Sequence, residues 1–125
     1  MITITGPIQL IRGDDYVFRI TVTDDTDARV DLTSAAIQFQ IRTAPGAAGA
    51  PAVAKSVGSG ITVLDQTQPT TKGQADIAID SADTAAAGVP AGVYWLDAVT
   101  VILSKRHHVI DPMECEIIDS VTPPV

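Results

Sequence analysis

The chain carries one cysteine, Cys115, among its 125 residues. A lone cysteine excludes an intrachain disulfide and agrees with a reducing compartment, so the fold has to rest on burial and backbone pairing. Glutamate is almost missing as well, since 13 of the 15 acidic residues are aspartate. Aspartate suits turns and loops, whereas glutamate suits exposed helical faces, and the skew leans towards an all-β chain. Basic residues number only 8, which leaves a formal net charge of −7 and a sequence pI near 4.4. Such a chain repels phosphate backbones and anionic headgroups, so no direct nucleic-acid partner is expected. No apolar run approaches the roughly 18 residues that span a bilayer, and the opening MITITGPIQL lacks a basic region followed by a long apolar one. The expectation is a chain without membrane insertion, folded in a cytoplasm. No G-x-S-x-G elbow occurs, and Gly46 and Gly49 sit among alanines with no Lys-Ser/Thr after them. Neither an enzyme nor a cofactor is expected.

What is present centres on the run Ala91 to Leu103, AGVYWLDAVTVIL, which holds Trp95 and one of the two tyrosines. At the two-residue period of a strand, Tyr94, Leu96, Ala98, Thr100 and Ile102 fall on one face and Trp95, Asp97, Val99, Val101 and Leu103 on the other. Neither face is polar. A helix here would carry Gly92 near its start and the β-branched Val93, Val99, Thr100 and Val101, so the run reads as a central strand covered on both sides.

Around it, the turns and alternations imply one domain spanning residues 1–125. Ile8 to Ile11 is a short first strand ending at a turn over Arg12 to Asp15. Tyr16, Phe18, Ile20 and Val22 alternate with Val17, Arg19, Thr21 and Thr23, and Ile37, Phe39 and Ile41 alternate with Gln38, Gln40 and Arg42. Both are half-buried strands. Further strands are expected at Ile61 to Leu64, at Gly73 to Asp80 with Ala75, Ile77 and Ile79 inward, and, after a hairpin turn at Ser104 to Arg106, at His107 to Ile118. In the last of these, Pro112 implies an edge or a bulge. Residues 1–6 form an N-terminal segment. The stretch APGAAGAPAVA, residues 44–54, reads as a mobile loop, and residues 119–125 as an extended tail. Asp80 or Ser81 can cap a short helix that Gly88 stops. Seven or eight short strands with one helix predict an antiparallel β-sandwich of immunoglobulin-like type, with an eight-stranded barrel as the alternative.

The order of motifs resembles that of small structural proteins of tailed phages and prophages. It is similar above all to the immunoglobulin-like N-terminal domain of baseplate upper proteins and related tail-associated proteins. The motifs are Gly13-Asp14 before the strand to Val22, Asp31-Leu32-Thr33-Ser34-Ala35, Asp83-Thr84, Gly92 to Asp97 with its G-x-Y-x-x-D pattern, and Val121-Thr122. Ser34, Leu96 and Lys105-Arg106-His107-His108 depart from the pattern. The resemblance implies a non-enzymatic structural or assembly component of a phage particle, in the tail, baseplate or neck. It is assembled in the bacterial cytoplasm and carried in the virion, with other virion proteins and further copies of itself as partners. The alternative is a bacterial immunoglobulin-like binding or adhesion module.

Three sets of residues invite a chemical reading. His107 and His108 are adjacent on a strand and point to opposite faces, so they do not converge on one metal, and Cys115 would join one of them only if the strand folded back. Asp24, Asp25 and Asp27 have no glycine at the bend and no bidentate glutamate at a suitable distance, which favours a solvated turn over a calcium loop. No metal is therefore expected. Asp97, the one charge inside the central run, either meets a partner's Arg or Lys or accepts hydrogen bonds at the sheet surface. The expected working surface is an interface made by Trp95, Asp97, Val99, Val101 and Leu103, covered by a second sheet, a loop such as 44–54, or a neighbouring subunit.

Overall fold

The computed structural model describes residues 8–86 and 88–121. The expected N-terminal segment 1–6 and the end of the tail, 122–125, lie outside the described residues. The elements run β1 (Ile8–Ile11), β2 (Tyr16–Thr21), β3 (Ala36–Arg42), β4 (Val53–Val57), β5 (Gly60–Val63), β6 (Gln74–Ile79), α1 (Ser81–Ala85), β7 (Gly92–Ile102) and β8 (Lys105–Ile118). The chain is mostly β, with eight strands and one short helix among the described residues, as the alternation implies.

The layering differs from two separate packed sheets. All eight strands belong to one hydrogen-bonded sheet in the order β1-β8-β7-β3-β4-β5-β6-β2. Its two edges, β1 and β2, are consecutive in the chain. Laid flat, eight strands would separate those edges by about 34 Å. Five residue steps from Ile11 to Tyr16 reach at most about 18 Å. The sheet is therefore curled into a half-barrel, and the Ile11 N–H donates to Tyr16 Oη at 2.8 Å where the edges approach. Nor is the pairing wholly antiparallel, because β1 joins β8 and β4 joins β5 in parallel.

The core fills the concave side. Ile20, Phe39, Ile77, Leu96 and Ala98 are buried there with their neighbours, and each belongs to the inward half of an alternating strand. β4 and β5 run in the same direction, joined by a tight turn at Gly58 and Ser59. β4 pairs with β3 and β5 with β6, so the turn lies where the two parts of the sheet meet. Gly58 and Gly60 take φ of 83° and 95°, and a Cβ on Gly60 would collide with the Lys55 side chain. Glycine is required there.

The residues 53–54, expected in the loop, instead start β4, and Val53 is buried. Lys55 shares the inward face with Phe39, its register partner, and its ammonium meets Asp83 of α1 at 2.7 Å. The Arg12 guanidinium donates to the carbonyls of Thr84, Ala85 and Ala86, and the Gly13 N–H donates to Thr84 Oγ1. The helix is thus a plug over one mouth of the half-barrel, held by the β1–β2 turn and by β4. At the opposite mouth the turns repeat one device: Asp24, Asp31 and Asp65 each accept from the N–H and the hydroxyl of the threonine two residues on. Gln66 completes that end, its Oε1 accepting from the N–H groups of Leu32 and Gly73 and its Nε2 donating to the Leu64 carbonyl. No helix among the described residues is long and apolar enough to cross a membrane.

Candidate functional site: an outer cleft on β3, β7 and β8

β7 is central to its half of the sheet, flanked by β3 in full register and by β8 with two irregularities. Its inward residues Tyr94, Leu96, Ala98 and Thr100 are buried, as expected. The outward residues begin with Trp95, Asp97 and Val99, whose register partners on β3 are Arg42, Gln40 and Gln38. These side chains share a cleft of about 330 Å³, closed on one side by Ala44, Pro45 and Gly46 of the β3–β4 loop and on the other by Arg106 and Pro112. No second sheet of the described chain lies over it.

Val99 is only 8% exposed although it points outward. Gln38 and His108 flank it on the two neighbouring strands, so the cleft floor is apolar and its walls polar. Asp97 Oδ2 lies 3.0 Å from His108 Nε2 within the chain. Of the two readings of Asp97, hydrogen bonding at the sheet surface is therefore realised. The Arg42 guanidinium donates to Gln40 Oε1 and to the carbonyls of Ala47 and Gly49, which ties the loop beside Trp95 to the sheet. The loop expected to be mobile has these anchors.

Val101 continues the outer face beyond the cleft and is 37% exposed opposite Arg106. Leu103 does not belong to this face. Strand pairing ends at Ile102 and Lys105, so Leu103 and Ser104 form the hairpin turn, at φ of 51° and 64°. The turn expected at Ser104 to Arg106 is one residue earlier, and Leu103 sits at its tip. Of the five expected interface residues, Trp95, Asp97 and Val99 come together, Val101 adjoins them and Leu103 leaves. Arg42, Gln38, Gln40 and His108 were missed, although the alternation of β3 already placed the first three on its outer face.

The other candidate sites resolve into structural roles. His108 faces outward with Asp97, while Cys115 is inward and buried opposite Tyr94, so the two do not share a face. Burial pushes the Cys115 thiol up to about 11. Pro112 lies at the β7–β8 irregularity, in a stretch of β8 that β1 does not pair, so both the edge and the bulge readings hold. Among the described residues, no three of His, Cys, Asp and Glu converge as metal ligands would. The Asp24 carboxyl is held below its ordinary range by the Thr26 hydroxyl, then by backbone N–H groups, and so closes a turn. Compared with known proteins, the chain matches no family model and no curated relative.

Proposed function

We propose that this chain is a non-enzymatic structural or assembly component of a phage or prophage particle, working by protein–protein contacts through the outer face of β3, β7 and β8. The observation that carries this reading is the cleft itself: the outward Trp95 borders it, Val99 forms its floor and the exposed Val101 continues it, with no second sheet of the described chain above them. Soluble monomers rarely leave a contiguous apolar patch open without a partner for it. Indole, aliphatic floor, arginines and a His–Asp pair are the composition of a protein interface, an apolar centre with a polar rim. The partners are virion proteins or further copies of this chain, and the location is the virion.

The immunoglobulin-like reading of the fold draws support from Tyr94. Its hydroxyl donates to the Pro90 carbonyl four residues upstream at 2.6 Å, the geometry of the tyrosine corner found in such sandwiches. The two halves of the curled sheet would then correspond to the two layers. Light scattering on the eluting wild-type and Val101→Asp proteins tests the functional reading. We expect an oligomer for the first and a folded protein of lower mass for the second. A wild-type chain that stays monomeric and binds no virion protein would favour an isolated adhesion module instead.

A further inference from the structure

The β7–β8 hairpin ends in a turn that goes against its own backbone. Both turn residues have positive φ, the type I′ arrangement that asparagine and glycine adopt with ease, yet the first is Leu103. A bulky side chain is disfavoured in that conformation. It is also 91% exposed, so neither conformation nor burial within the chain accounts for a leucine there. Beside it stand Lys105, Arg106 and His107, all exposed, and neither Lys105 nor Arg106 forms an ion pair among the described residues. On a chain of net charge −7 this is an isolated concentration of cations.

The complementary surface occurs at the same mouth of the half-barrel. β2 and β7 both run towards that mouth, so the β2–β3 loop and the hairpin tip share it. The loop carries Asp24, Asp25, Asp27 and Asp31 against the single Arg29, and Asp25 and Asp27 are exposed and form no ion pair among the described residues. The Asp24 and Asp31 carboxyls are engaged by threonines and stay ionised at neutral pH.

We propose that the hairpin tip is an anchor for a second copy of this chain. Leu103 enters the contact while Lys105 and Arg106 meet Asp25 and Asp27 of the other copy, reciprocally across a two-fold axis. The inference rests on the assembly reading above; of the anchor residues only Arg106 also borders the outer cleft, so Leu103, Lys105 and the loop aspartates let the two fail separately.

The experiment is analytical ultracentrifugation of the full chain at low and high salt, with thermal unfolding of every variant. Wild type should associate at low salt and dissociate as salt screens the contact. Leu103→Asn relaxes the turn, so its melting temperature should hold or rise while association weakens at least tenfold. Lys105→Glu/Arg106→Glu and Asp25→Lys/Asp27→Lys should each lose the salt-dependent association alone and regain it when mixed, because mixing restores both opposite-charge contacts. A wild type monomeric at low salt, a Leu103→Asn chain that associates like wild type, or a charge-reversed pair that does not associate on mixing would overturn the proposal. Val101→Asp should retain this salt-dependent contact. If it also abolishes it, the hairpin is no independent anchor.

Discussion

The two halves of the curled sheet share one core and differ on their outer sides. Outside β2 and β6, Arg19 and Asp76 form a bidentate pair at 2.7 and 2.9 Å, with Thr21 and Gln74 beside them. Outside β3, β7 and β8 lie Trp95, Val99 and Val101, ringed by Gln38, Arg42 and Arg106. Both halves turn an alternating apolar face inward, fully buried along β6 and β7 and half-buried at the start of β2. On the function proposed above, the outward apolar residues of β7 answer to something outside the chain.

If the halves are equivalent within, equal lesions should cost them equally. Ile77→Ala behind the polar face and Leu96→Ala behind the cleft should each lose about 2–5 kcal/mol in urea unfolding. A Leu96→Ala loss far below that of Ile77→Ala would mean that β7 contributes little to the core, and the comparison would break. The polar half leans further on side-chain hydrogen bonds at its end. Gln66→Leu would leave the N–H groups of Leu32 and Gly73 without their acceptor, at about 1–3 kcal/mol for each that stays dry. Unfolding unchanged by Gln66→Leu would show that water replaces the amide at no cost.

The outer faces themselves separate through a matched pair of valines. Val17 lies on the polar half and is 66% exposed; Val101 lies on the other and is 37% exposed. Val17→Asp and Val101→Asp should each shift unfolding by less than about 1.5 kcal/mol, since neither opens a core cavity. Only Val101→Asp should reduce oligomer mass in light scattering. Equal behaviour of the two in association would remove the distinction between the faces.

Much of this was legible in the residues. Tyr16 to Val22 and Ile37 to Ile41 alternate cleanly because each strand has one dry face, and the curled sheet needs no more. β4 was not legible: VAKSV has valines only at its ends, and Lys55 points inward because Asp83 waits across the mouth, a partner distant in the chain. The curl was hidden for a similar reason, as it follows from which strands are edges, and pairing order leaves no mark in periodicity. The hairpin was misplaced by one residue because Leu103 contradicts the chemistry of its own turn. Trp95, Asp97 and Val99 were found together since they lie on one strand, whereas His108 joined them only through the register of β8. The D-x-T turns at Asp24, Asp31 and Asp65 were there to be read, since an aspartate with a threonine two residues on can satisfy the backbone locally.

The smallest expected effect belongs to the polar face and concerns acid. The Asp76 carboxyl is held below its ordinary range, first by the Arg19 hydrogen bonds, with the guanidinium charge adding to them against the opposing effect of burial. A carboxyl whose folded pKa is depressed stabilises the fold above its unfolded pKa, about 3.9, and that contribution is lost as pH falls through the folded value. Asp24, Asp31 and Asp65 shift in the same direction through their threonines. Stability should therefore decline as pH drops below the ordinary carboxylate range and be flat above it with respect to these groups. Arg19→Ala removes one of the four contributions. Its melting temperature at neutral pH should move little, because an exposed ion pair is screened by solvent, but its acid decline should be shallower than that of wild type. The test is a set of melting curves from neutral pH down to strongly acidic buffer for both proteins. Parallel declines would show that the Arg19–Asp76 pair does nothing for the fold, leaving the three turn aspartates to account for its acid sensitivity.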